Sequence, residues 1–279
     1  MSNRRKTLLY FSLGFILTAI IVGIGIQEYR TTQQDKRFLS FIDNVQAYQD
    51  SIDLKTGRRN YKDEIDSSTF SNEKYLQYFT KCKFSDSSTV KTFYLDNFLD
   101  GKPYILVIDT TQFNRKYKLL KKNYFRYKLH GNDSIHRLFY DFVTNDESRA
   151  KNNITPANSK MGYLQYLFFH EFGEMFALKW HASYHEKEII TGDWKIDSIE
   201  KEIRGSHFVT DLDDLVMLKE QDFNPEIKLK KNVVEITLIE RKHFSGIYRT
   251  TYQIMRKTPY KVLRIKNEKF MSIQSTIIF

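Results

Sequence analysis

Residues Leu167 to Glu188, LFFHEFGEMFALKWHASYHEKE, gather three histidines and four glutamates among aromatics. Imidazole and carboxylate are zinc ligand types, and His170 followed by Glu171 opens like HExxH, the helical motif that sets two histidines one turn apart. Position 174, where the second histidine belongs, is Glu. On one continuous helix His170, Glu174, His181 and His185 share a stripe, because spacings of four, seven and four residues return to one face. Gly173 interrupts that helix. Beyond it Phe176, Leu178, Trp180, Ala182 and Tyr184 alternate with Lys179, His181, Ser183 and His185, which is the period of a strand. A strand holds His181 and His185 about 13 Å apart at ~3.3 Å per residue, too far to share an ion. The expectation is a helix ended by Gly173, then a strand over 176–184 with Phe176, Leu178, Trp180 and Tyr184 facing the core. No metal and no cofactor is expected, and His170, Glu171 and Glu174 stand as the catalytic candidates if the chain is a hydrolase.

Other chemistries have weaker carriers. Cys82 is the lone cysteine and reads as a buried thiol, although Lys81 and Lys83 flank it. Asp211, Asp213 and Asp214 are oxygen donors, but the glycine and distal glutamate of an EF-hand are missing, and acids opening a helix explain them. Asp109 ends an apolar run, the commoner task of an Asp there. No GxxxxGK[ST], GxGxxG or GxSxG pattern occurs, so phosphate-loop and serine-hydrolase chemistry lose their usual carriers.

Charge is more informative. The formal +10 divides into +6 over residues 28–137, −8 over 138–227 and +9 over 228–279. FNRKYKLLKKNYFRYK holds seven Lys/Arg and no acid, interleaved with Phe and Tyr. Arg115, Lys116, Lys118, Lys121 and Lys122 are therefore the candidates for binding an anionic surface. Basic residues among aromatics also suit nucleic acid, but the location inferred below favours lipid headgroups or an envelope polysaccharide.

The elements that must carry these groups begin with MSNRRK, residues 1–6, followed by an uncharged stretch over 7–27. About 20 apolar residues span a bilayer, whereas a secretory core is commonly ~7–15 long, so 7–27 is expected to be an uncleaved signal anchor. Arg4, Arg5 and Lys6 favour a cytoplasmic N-terminus, which puts the remaining chain outside the cytoplasm, at the periplasm or cell surface. Phe38, Phe41, Ile42 and Val45 have helical spacing within 28–62, expected as a helical stalk. The domain then covers 63–279. Of the 279 residues 41% are apolar, with 22 Phe and 18 Tyr, enough for a core without a disulfide.

Within that domain, FSNEKYLQYFTKC reads as a short helix and Tyr104 to Ile108 as a buried strand. NDSIHRLFYDFVTN is expected as a helix, as is the stretch carrying Met161, Leu164, Leu167 and Phe168. Asp197 and Glu200 suggest a capping box ahead of a helix stopped by Gly205, and TDLDDLVML another helix. EIKLK, VVEITLIE, GIYRTTYQIM and YKVLRIK form a meander of strands. Helices first and strands last imply an α+β fold. The functional expectation is a single-pass, membrane-anchored binding or interaction domain. A metal-dependent envelope hydrolase and a structural subunit of a membrane complex are the alternatives.

Overall fold

The computed structural model describes residues 22, 24, 26, 29, 31–51, 72–84, 90–97, 102–109, 127–128, 154–173, 175–177, 187–205, 208–209, 213–242 and 245–275. Helices and sheets are mixed along the chain. Helix α1 covers 31–51, and α2, Asn72–Leu76, continues into a 3-10 turn at Gln77–Phe79. Strands β1 (Cys82–Phe84), β2 (Val90–Asn97), β3 (Lys102–Asp109), β4 (Tyr127–Lys128) and β5 (Ile154–Pro156) follow. Helix α3, Lys160–Phe168, runs into a π-helical turn at Phe169–Gly173, after which β6 is Met175–Ala177 and β7 is Lys187–Ile189. Next come α4 (Asp193–Arg204), β8 (Phe208–Val209) and α5 (Asp213–Lys219). The chain closes with β9 (Glu226–Leu229), β10 (Val233–Lys242), β11 (Gly246–Met255), β12 (Val262–Met271) and β13 (Gln274–Ser275).

The alternating apolar runs of the last third fold into a C-terminal antiparallel sheet of order β12–β11–β10–β7, with β9 on another stretch of β10. Strands are not confined to that end, as the order of helices first and strands last had implied. Antiparallel β2 and β3 pair with β4 and β6 in a second sheet.

Successive side chains of a strand point to opposite faces, and the C-terminal sheet uses both. Val234, Ile236, Leu238, Tyr252 and Ile254 lie in one core with α1, α2 and α3. Ile239, Ile247 and Met271 lie in a second, under Ile196, Ile199 and Ile203 of α4 and Leu215 and Leu218 of α5. Aromatic packing dominates the first core. Phe79 meets Phe169 edge to face at 5.1 Å, and Phe41 meets Phe168 in the same way at 5.5 Å.

Helix α1 lies within the expected stalk. Its Phe38, Phe41, Ile42 and Val45 recur at the spacing of one helical stripe, as the sequence suggests, and that stripe is buried in the first core. Each such side chain is worth roughly 1.5–3 kcal/mol on burial, an upper bound when counted from an extended chain. Three polar side chains fix the helix further: the Thr191 hydroxyl donates to Asp43, Gln46 exchanges two bonds with the backbone of Ile189, and Gln49 donates to the Phe172 carbonyl.

Helix α4 starts four residues earlier than the expected capping box. Asp197 sits inside it and pairs with Lys219 of α5 instead of capping, while Gly192 precedes the first turn without a side-chain cap. Gly205 ends this helix as expected. At α3 the Ser159 hydroxyl caps the first turn by accepting from the Gly162 amide at 3.1 Å. Gly246, opening β11, takes φ of +135°, and a Cβ there would lie 2.0 Å from the Met271 carbonyl oxygen on β12.

At its far edge the sheet ends in β12, exposed over most of its ten residues. Arg264, Lys266, Glu268 and Lys269 line it, and two register shifts interrupt its pairing with β11; charges and bulges of this kind keep an edge from recruiting further strands. Among the described residues no helix is long and apolar enough to cross a membrane. The expected span at 7–27, apart from positions 22, 24 and 26, lies outside the described residues, as does the helix expected in NDSIHRLFYDFVTN.

Candidate functional site

The helix carrying His170 ends at Gly173, and the chain is extended by Met175–Ala177. The stripe that would have joined position 170 to positions 181 and 185 is therefore broken, as the glycine implied. His170 Nδ1 donates to Glu171 Oε1 at 3.0 Å, and Lys187 Nζ donates to Glu171 Oε2 at 3.1 Å. Glu171 thus has both oxygens engaged. Burial pushes its pKa up, but the His170 hydrogen bond and the Lys187 charge outweigh this and hold it at about 2. Among the described residues no three or more His, Cys, Asp or Glu converge as a metal site. Glu174, His181, His185 and the basic residues Arg115, Lys116, Lys118, Lys121 and Lys122 lie outside the described residues, as do Leu178, Trp180 and Tyr184 of the expected strand.

That ion pair has a pH signature. A carboxylate held below its unfolded value adds stability above that value and loses it as pH falls through the folded one. With 4.5 as the ordinary value and about 2 in the fold, the loss falls between those two pH values. Its size is on the order of 2–3 kcal/mol. Urea midpoints measured across that range should drop in the native protein and stay flatter in Glu171→Gln, which starts lower at neutral pH. Parallel profiles for the two proteins would remove Glu171 from this account.

Behind Glu171 lies a buried polar layer on the first-core face of the sheet. Glu240 is fully buried and accepts from the Thr250 hydroxyl at 2.9 Å and from the Tyr252 phenol at 2.6 Å. Burial and the Glu240 charge drive the Tyr252 phenol far above its ordinary range, so it stays a proton donor. The Cys82 thiol is pushed up to about 12 by burial alone, which removes it as a nucleophile.

A cavity of about 390 Å³ opens where the end of α1, β7 and α4 meet. Gln46, Gln49 and Asp50 form one wall, Trp194, Lys195, Ser198 and Glu202 the opposite one, and Lys187, Glu188 and Arg241 the floor between them. The floor is set by register, because Arg241 stands opposite Glu188 where β10 pairs with β7. Its side chain is 5% exposed, and the guanidinium forks onto Glu202 at 2.8 and 2.9 Å while also reaching Glu188 at 3.2 Å. Lys195 Nζ meets the other Glu188 oxygen at 2.9 Å. Desolvation raises the Glu188 pKa, yet Lys195 and Arg241 together hold it below the ordinary range. Asp50, at the rim, is raised instead: partial desolvation leads, Glu188 adds repulsion, and Lys195 offsets only part. Neighbouring carboxylates are thus driven apart in acidity by their surroundings.

With this geometry in view, comparison with known proteins adds no relative: no family model, curated protein or solved structure matches the chain.

Sequence reasoning missed this cavity because its walls come from residues near 46, 190, 200 and 241, joined by no local motif. One signal was legible. In TGDWK, Trp194 stands directly among polar residues, and it is 56% exposed. A second was the basic C-terminal block itself. Lys228 and Arg241 face carboxylates from outside the block, Glu226 and Glu202, so the +9 is partly neutralised rather than presented as a bare cationic face.

Proposed function

We propose that the chain is an α+β binding module held in the membrane by residues 7–27, with the N-terminus cytoplasmic and the domain outside the cytoplasm, and that the cavity between α1, β7 and α4 is its ligand site. The observation carrying this reading is the cavity's make-up. At about 390 Å³ it falls in the range that takes a small molecule, and it is walled by polar side chains whose positions are fixed by ion pairs. The hydrolase alternative draws little from His170 and Glu171, because the carboxylate is committed to Lys187 and the neighbouring imidazole. A structural subunit assembled through a sheet edge is disfavoured by the charges on β12. The apolar sequence of 7–27, behind three cationic residues, supports the anchor.

Two arms test the reading. Protease should cleave the domain in intact cells or in cells whose outer membrane alone is opened, and the protein should fractionate with membranes. A screen of polar solutes should raise the melting temperature of the full chain in detergent, and Ser198→Trp, which fills the cavity from an exposed position of α4, should abolish that rise. Recovery of the chain in the soluble cytoplasm rejects the anchor; solute effects unchanged by Ser198→Trp reject the cavity as the site.

A further inference from the structure

We infer that the ligand of this cavity is a neutral sugar residue, presented by a polysaccharide and packed against Trp194; the inference rests on the binding role proposed above. Indoles bury large areas when they fold into cores, so one left 56% exposed at a cavity wall is available as a contact surface. The indole passes close to Gly192, where an added Cβ would stand 3.3 Å from Trp194 Cδ1, and Lys195 Nζ lies over the ring, 5.1 Å from its centroid.

Charge selects the class of ligand. The cavity is lined by three cations, Lys187, Lys195 and Arg241, and three acids, Asp50, Glu188 and Glu202. The cations are already bonded to carboxylates: Lys187 to Glu171, Lys195 to Glu188, Arg241 to Glu188 and Glu202. A polyanion or a zwitterion would have to break these pairs to find its counter-charge. A hydroxylated ring need not. Its O–H groups donate to the remaining lone pairs of Asp50, Glu188 and Glu202 and accept from the ammonium groups, while its polarised C–H hydrogens rest on the indole face that Lys195 leaves open. Gln46 and Gln49, anchored by their bonds to Ile189 and Phe172, keep that wall polar and fixed.

The test is affinity electrophoresis of the full chain in detergent through gels containing dextran, a soluble β-glucan, xylan or anionic alginate. At least one neutral polymer should retard the native protein, and retardation should persist as salt rises from about 50 mM to about 500 mM, beyond the reach of surface charge. Trp194→Ala should weaken binding about ten-fold or more, and Trp194→Phe less, as expected for loss of a stacking surface. Both variants change an exposed side chain, and circular dichroism verifies their fold. Retardation by alginate alone, retardation by none of the neutral polymers, or equal binding by Trp194→Ala each overturns the sugar assignment. The two readings fail separately: amino acids or nucleosides that raise the melting temperature, blocked by Ser198→Trp, keep the cavity as a site and discard the sugar, whereas no response to any solute discards both.

Discussion

Gly246→Ala should cost roughly 4 kcal/mol or more of unfolding free energy, among the largest effects available to a single methyl group. The φ of +135° already disfavours any L side chain, and the added carbon would stand 2.0 Å from the Met271 carbonyl oxygen and 3.1 Å from its carbon. These are backbone atoms of the neighbouring strand, so no side chain can swing aside. Relief requires β11 and β12 to part where Ile247 faces Met271, and both residues are buried in the second core. Gly205→Ala is the control. Gly205 has φ of −90°, and its nearest neighbour to an added Cβ is 3.3 Å away, so the cost there should stay under about 1 kcal/mol. Chemical denaturation of the two variants beside the native chain decides it, and a Gly246→Ala cost as small as the control's would refute the clash.

Arg241→Met is the second large effect, at about 3 kcal/mol. The methionine keeps much of the aliphatic volume but strips the fork from Glu202 and one of two cations from Glu188, leaving carboxylates that were desolvated in the presence of that charge. Arg241 Nε is itself buried without a partner among the described residues, so part of the native pair's benefit is already offset and the loss comes from the acids left behind. Arg241→Lys should recover only a fraction, since an ammonium cannot make two parallel bonds to one carboxylate. Adding Glu202→Met to Arg241→Met should restore stability toward the native value. Urea titration in this series checks the account; a double variant weaker by the full sum of its parts would contradict it.

What the chain disclosed in advance follows from the range of each signal. The alternation in VVEITLIE and GIYRTTYQIM is local, and it placed β10 and β11 correctly. So did the glycine that stops the turn after α3, and the acids at the start of α5. Asp197 and Glu200 misled because a capping box and a pair of exposed acids facing another helix have the same spacing, and only the placement of Lys219 separates them. The stripe on α1 was legible as a stripe, but sequence does not say what a stripe packs against; Tyr75, Phe79 and Phe168 supply that answer. The cavity was the least legible of all. Its floor requires β7, three residues long, to be set beside β10 in one register, and KEI carries no strand signature of its own.

The bonds that fix α1 have a mechanical meaning. A rod of 21 residues is about 30 Å long, so tilting it by roughly 10° swings its far end by about 5 Å. Its last turns form a wall of the cavity, and Asp43, Gln46 and Gln49 tie those turns to Thr191, to the β7 backbone and to the carbonyl of Phe172. Among the described residues these bonds join arm and sheet directly. While these bonds hold, any torque applied at residue 31 turns the sheet and the cavity as one piece, and the direction in which the mouth opens is set by the bearing of the helix alone.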